Sequence, residues 1–154
     1  MLGLAARGAL GGLVGTWVMD LVTTALYEAQ APEVTAREQA ARPNGKPSVD
    51  NMLDRLASGA RLDLTEEQRK QLTSVIHYGL GVVPGMLYAL AGRRLPLVAA
   101  RNGLLYGFLL WALNDELLNS TLGFAGPFEA YPLETHWRGL AGHLVLGLVT
   151  DAAV

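Results

Sequence analysis

Apolar residues in this chain fall into four stretches separated by polar ones. The longest uncharged stretch runs from Gln71 to Gly92. As a helix rising about 1.5 Å per residue it is about 33 Å long, close to the roughly 30 Å of a bilayer's hydrocarbon core. The other stretches cover about 5–28, 97–118 and 137–153. The first contains Asp20, the third begins near Arg101, and the fourth is short and contains His143. An arginine at a helix end can carry its head group to the interface. The pattern predicts an all-α, single-domain chain, 1–154, forming a four-helix transmembrane bundle. The competing reading takes the same helices as the core of a soluble bundle.

Segment 29–70 breaks the apolar pattern. Pro32, Pro43, Asn44-Gly45 and Pro47 punctuate it, as expected of turns. Short helices are expected around Thr35–Ala41 and Ser48–Ala60. In the second, Val49, Met52, Leu53 and Leu56 share a face, which suits a helix lying on a membrane surface. Asp63-Leu64-Thr65-Glu66-Glu67 reads as a helix start with acids in its first turn, running on into the second span. The first stretch can also be read as a cleaved signal peptide, with Ala29-Gln30-Ala31 as the cleavage site. Its length, Asp20 and Glu28 favour a retained span.

Composition narrows the function classes. Net charge is −2, from 12 Lys/Arg and 14 Asp/Glu, which argues against nucleic acid as a partner. With no cysteine, thiolate catalysis and Cys-based metal centres are excluded. No Ser lies in a G-x-S-x-G context, no phosphate-binding loop is present, and neither H-E-x-x-H nor H-x-x-E-H occurs. The chain is therefore read as a non-enzyme, with no catalytic residue assigned. Glycine is abundant, at 18 residues, and Gly8/Gly12, Gly11/Gly15, Gly81/Gly85 and Gly103/Gly107 are each spaced four apart. Such pairs let membrane helices approach closely. They serve packing within the bundle, assembly of copies of the chain, or docking on a larger membrane complex as a scaffold subunit. Pro84 falls inside the second span and predicts a kink.

Two helical hairpins of one design are also legible. Arg7, Trp17 and Asp20 in the first helix correspond to Arg101, Trp111 and Asp115 with Glu116 in the third. His77-Tyr78-Gly79-Leu80-Gly81 in the second helix looks like His136-Trp137-Arg138-Gly139-Leu140-Ala141-Gly142 in the fourth, and His143 and Gly147 repeat the His77/Gly81 spacing. Odd helices then end in acids and even helices begin with histidine. Asp20, His77, Asp115, Glu116, His136 and His143 would lie toward one side of the bilayer. Polar groups inside a span are costly and face partners, water or a ligand. Three roles compete: interhelical hydrogen bonding, proton or cation handling, and metal or haem ligation through His77 and His143, whose neighbouring glycines leave room for a flat ring. The favoured reading needs no cofactor.

Several stretches resemble the YagU-like inner-membrane proteins of bacteria. These are Gly11-Gly12-Leu13-Val14-Gly15-Thr16 leading to Met19, Pro32-Glu33-Val34-Thr35, His77-Tyr78-Gly79, Gly103 to Trp111 with Tyr106-Gly107, and Gly142-His143-Leu144 to Gly147. The resemblance implies a multi-pass protein of the bacterial cytoplasmic membrane and carries no residue roles. An association of the wider group with acid tolerance is compatible with proton handling. Basic residues in short loops mark the cytoplasmic side. Arg7 and the turn Arg93-Arg94 favour termini inside, while the seven Lys/Arg of 29–70 point the other way.

Overall fold

The structure, a computed structural model, describes residues 1–92 and 102–154. The Arg93-Arg94 turn, Arg101 and the predicted start of the third span at residue 97 lie outside the described residues. What is described is helical, with no strand. The helices are α1 (Leu2–Glu28), α2 (Pro32–Ala41), α3 (Ser48–Gly59), α4 (Glu66–Gly92), α5 (104–121) and α6 (Leu133–Ala153). Among the described residues, α1 and α4 are long and apolar enough to cross a membrane.

Local chemistry explains the boundaries. α2 starts on Pro32, whose missing N–H is not needed in a first helical turn. α4 starts with a capping box: the Thr65 amide donates to Gln68 Oε1 (2.9 Å) and the Gln68 amide to Thr65 Oγ1 (3.3 Å), which satisfies two free helix donors. α5 stops because Gly123 adopts φ 76°, and the Gly123 and Phe124 amides turn back to the Ser120 and Asn119 carbonyls. α4 stays helical through Pro84. Pro84 nevertheless withholds the N–H that the Leu80 carbonyl would accept.

Glycine places the long helices. A Cβ on Gly12 would stand 2.2 Å from the Gly81 carbonyl oxygen, and one on Gly8 would stand 2.4 Å from that of Gly85. α1 and α4 therefore cross antiparallel, backbone on backbone. Gly11 and Gly15 of the same helix face Thr150, Ala153 and Leu146 of α6. The third contact joins α5 to α6: a Cβ on Gly103 or Gly107 would meet the Gly147 or His143 carbonyl oxygen, each at 2.2 Å. Each of these glycine pairs packs against a helix of the same chain.

The two hairpins share this geometry. Gly85 is held against the Gly8 carbonyl and the Gly12 backbone, and Gly147 against the Gly103 carbonyl and the Gly107 backbone. The register differs from the one expected. Matching Arg7 and Trp17 to Arg101 and Trp111 sets Gly12 against Tyr106, whereas the crossing sets it against Gly107. Likewise Gly147 occupies the place of Gly85, not of Gly81. Backbone approach, not the aromatic–basic pattern, defines the equivalence.

Burial runs opposite to that of a soluble bundle. α1 buries Gly8, Gly11, Gly12, Gly15 and Thr16 and exposes Leu13, Val14, Trp17 and Leu21, with Leu10 at 61%. Val75, Val83 and Leu87 of α4, Phe108, Leu109 and Leu113 of α5, and Trp137 and Leu148 of α6 are exposed too. The buried apolar side chains are few: Leu53, Ala57, Tyr88, Ala89, Tyr106 and Leu146. In water, so large an apolar surface marks an interaction or membrane surface.

α2 and α3 close one end of the bundle. α3 packs Leu53 and Ala57 inward. Leu56, expected on the same face, points outward. Buried Asn51 donates to the Pro43 (3.0 Å), Lys46 (3.2 Å) and Phe124 (3.0 Å) carbonyls, tying the segment to the loop after α5. Lys46 donates to Asp54 at 2.6 Å, and Arg69 of α4 reaches the same carboxylate. The hydrogen bond from Lys46, helped by Arg69, holds the Asp54 carboxyl below its ordinary value.

Candidate functional site

Beneath this cap, α1, α4, α5 and α6 enclose a cavity of about 370 Å³, with Pro47, Ser48 and Val49 at the start of α3 forming part of its wall. Asp20, His77, Asp115 and His143 all line it, one from each long helix. A second cavity of about 240 Å³ adjoins it and shares Ser48, Asp115, Asn119 and Arg138. Glu116 and His136 line that second space. The six residues expected to share one side of the bundle therefore do converge, around two connected spaces, with Asp115 at both.

They are organised as three histidine–carboxylate pairs. His77 Nε2 lies 2.8 Å from Asp20 Oδ1. His136 Nδ1 lies 2.7 Å from Glu116 Oε1, and its Nε2 lies 3.1 Å from the Phe128 carbonyl oxygen. Phe128 stacks on the imidazole, centroids 3.8 Å apart. A carbonyl oxygen only accepts, so Nε2 of His136 carries a proton. His143 Nδ1 donates to the Gly139 carbonyl at 2.9 Å and stands 3.6 Å from Asp115 Oδ2. In the first hairpin the histidine partner of the acid precedes the glycine crossing by a turn, whereas in the second it sits at the crossing.

Asp115 and Glu116 owe their placement to a local deformation that apolar periodicity did not reveal. Trp111–Leu118 is π-helical, with the Asn119 amide bonded to the Asn114 carbonyl five residues back. The wider turn brings Asn114, Asp115 and Asn119 to the cavity together. Such π segments recur at functional sites. Asn114 Nδ2 donates to Asp115 Oδ1 at 2.8 Å, while the Trp111 indole N–H, at the second cavity, is buried without a partner. Trp111 is thus set apart from Trp17 and Trp137, which are both exposed.

The sequence reading also missed the clasp that holds the cap over the cavities. Glu38 is only 2% exposed. Its carboxylate accepts from Arg138 (2.8 Å), Arg42 (2.7 Å) and Thr135 (3.0 Å), and Arg138 also donates to Gln30 Oε1 (2.6 Å). Burial pushes the Glu38 carboxyl up. The hydrogen bonds from Arg138 and Arg42, the charge of Arg138 and the Thr135 hydrogen bond outweigh it, and the group lies below its ordinary value. In the sequence, Glu38 and Arg42 look like an ordinary solvated i,i+4 pair. The one available signal was Arg138, a lone basic residue entering an apolar stretch.

The glycines spaced four residues from His77 and His143 pack closely on their neighbours. A Cβ on Gly81 would overlap Thr16 Oγ1, Gly147 abuts Gly103 and Gly107, and Gly139 faces the Trp111 indole. Among the described residues no three His, Asp or Glu side chains converge as a metal-binding group. The site offers paired acids and bases, hydroxyls and amides around enclosed space, which suits water, protons or a small cation.

Comparison with known proteins adds a family. Residues 25–152, most of the chain, match the family described as "Protein of unknown function (DUF1440)". No curated protein matches, and no solved structure does.

Proposed function

We propose that this chain, which belongs to the DUF1440 family, is a small membrane-embedded bundle that handles protons or a small cation. In this reading α1, α4, α5 and α6 all cross the bilayer, and α2 and α3 lie at one surface. The observation that carries it is the pairing of an inside-out bundle with a polar cavity between its helices. The helices turn leucine, valine and tryptophan outward and glycine inward, and they bring Asp20, His77, Asp115 and His143 to that cavity. Carboxylates within a span are tolerated where they meet a counter-charge, water or a proton, and imidazole exchanges protons near neutral pH.

The resemblance to YagU-like proteins supports a bacterial cytoplasmic membrane as the location. α1 runs antiparallel to α4 and α6, so both chain ends lie at the end of the bundle opposite the cap. With Arg7 and the Arg93-Arg94 turn cytoplasmic, the cavities face the other side. The role is one of binding and transfer, not of chemical conversion.

Two measurements test it. Protein in expressing cells should stay in the membrane pellet after an alkaline carbonate wash, and release would return the chain to the soluble reading. In proteoliposomes, wild type should dissipate an imposed proton or monovalent-cation gradient. Asp20→Asn should cut that flux by an order of magnitude, because the amide neither takes up a proton nor charge-pairs with His77. Equal flux from the folded variant, or none from wild type, defeats the proposal.

A further inference from the structure

The cavity's floor is apolar. Leu146, with Met19 and Leu110 against it, lines the cavity on one side and packs on Tyr88 and Tyr106 on the other. Beyond this layer, toward the chain ends, lie more buried polar groups that the proposed site does not use. Tyr88 donates its hydroxyl to Asp151 Oδ1. Among the described residues, the Tyr106 hydroxyl and Thr150 Oγ1 are buried without a hydrogen-bond partner. Thr150 is fully buried and Tyr106 is 9% exposed, so neither hydroxyl is compensated by bulk solvent. Unpartnered buried hydroxyls in pairs are uncommon and point to bound water or an ion. Asp151 is half-buried at the end of α6, so this second polar group reaches the surface opposite the cap.

We infer that the Leu146 layer is a closed apolar gate between two polar half-sites, the His–carboxylate cavity and a Tyr88–Asp151 site with Tyr106 and Thr150, and that a proton or small cation passes between them. The inference rests on the membrane-embedded reading above and adds a direction of passage, through the bundle from cap to chain ends. A layer of Leu146, Leu110 and Met19 offers no hydrogen-bond partner, so an ion cannot cross it until the layer parts or wets. Apolar constrictions gate by such dewetting. The glycine crossings on either side keep the backbones close, so the gate is a matter of a few side chains.

The chain has no cysteine, which makes thiol accessibility a clean test. Asn114→Cys places a thiol above the layer and Asp151→Cys one below it. In proteoliposomes, a membrane-impermeant cationic thiol reagent should label the two variants from opposite sides. Adding Leu146→Ala should make Asn114→Cys reactive from both sides and raise cation leak. Leu110→Ala is the second test, should the Leu146 variant lose its helical signal or elute as aggregate. Labelling of both thiols from one side overturns the inference, as does failure of both gate variants to open the second side. Two-sided labelling without any flux through wild type would leave the gate standing and remove the proton or cation role. An Asn114→Cys thiol inert from both sides in folded protein would remove both.

Discussion

Gly12→Leu is expected to force α1 away from α4 and strongly destabilise the folded bundle. A single Cβ at this position would sit 2.2 Å from the Gly81 carbonyl oxygen, far inside van der Waals contact, and the obstacle is backbone, which cannot rotate away. Overpacking a close-packed interior costs about 1–3 kcal/mol where side chains can adjust. Here the helices themselves must part, so the cost should reach or exceed about 3 kcal/mol, the upper end of that range. For a chain of this size that corresponds to a fall in the unfolding midpoint of roughly 6–12 °C. Gly79 on α4 provides the control. A Cβ there meets nothing within 4 Å, so Gly79→Ala should be neutral or slightly stabilising. Thermal denaturation in mild detergent, followed by helical signal and monodisperse elution, distinguishes the two. A stable Gly12→Leu protein would mean that α1 and α4 do not cross at these glycines.

Glu38→Ala should release the cap while leaving the four long helices assembled. The substitution strands two cations, Arg138 and Arg42, at a buried site, and breaking one partner out of such a network costs about 3–5 kcal/mol. The loss falls on the docking of α2, because α3 keeps its own buried Asn51, Leu53 and Ala57. Local opening of this kind is read by protection of the segment. Trypsin should cleave after Arg37 much faster in the variant, with the midpoint of the main unfolding transition little changed. The same ion network makes the clasp sensitive to acid. The Glu38 carboxyl in the folded protein lies below its ordinary value of 4.5, so folding favours its charged form. Its contribution is complete above the unfolded value and is lost as pH falls through the folded one. Proteolytic protection of α2 should therefore hold at neutral pH and fail in acid, and Glu38→Ala should lack that acid step. Unchanged protection in the variant would show that the cap is held by other contacts, such as the Asn51 hydrogen bonds.

Helix existence was legible because a long uncharged run has only one economical way to satisfy its backbone, and Gln71–Gly92 lies within α4. The Thr65 start and the Pro32–Gly45–Pro47 breaks were equally local, since capping groups and prolines act on their own neighbours. The glycine pairs were legible as packing positions, but their partners were not. Nothing along the chain distinguishes a glycine that meets Gly81 from one that meets a second molecule. Likewise, the six acidic and imidazole residues could be assigned to one side of the bundle from helix direction alone. Their sorting into Asp20–His77, Asp115–His143 and Glu116–His136 depended on rotation of each helix about its axis, which the π segment at Trp111–Leu118 alters.

Glu38 and Arg138 mark the limit most clearly. A hundred residues separate them, each has an unremarkable local setting, and their contact exists only because α2 folds back over the end of α6. Distribution of apolar length and charge is a one-dimensional property, so it was available from residue order: four helices, a polar interruption after the first, and acids and histidines confined to particular helix ends. Which backbones touch, which carboxylate meets which imidazole, and where enclosed space remains are properties of approach in three dimensions. They were settled by the glycine crossings that bring α1 against α4 and α6, and α5 against α6.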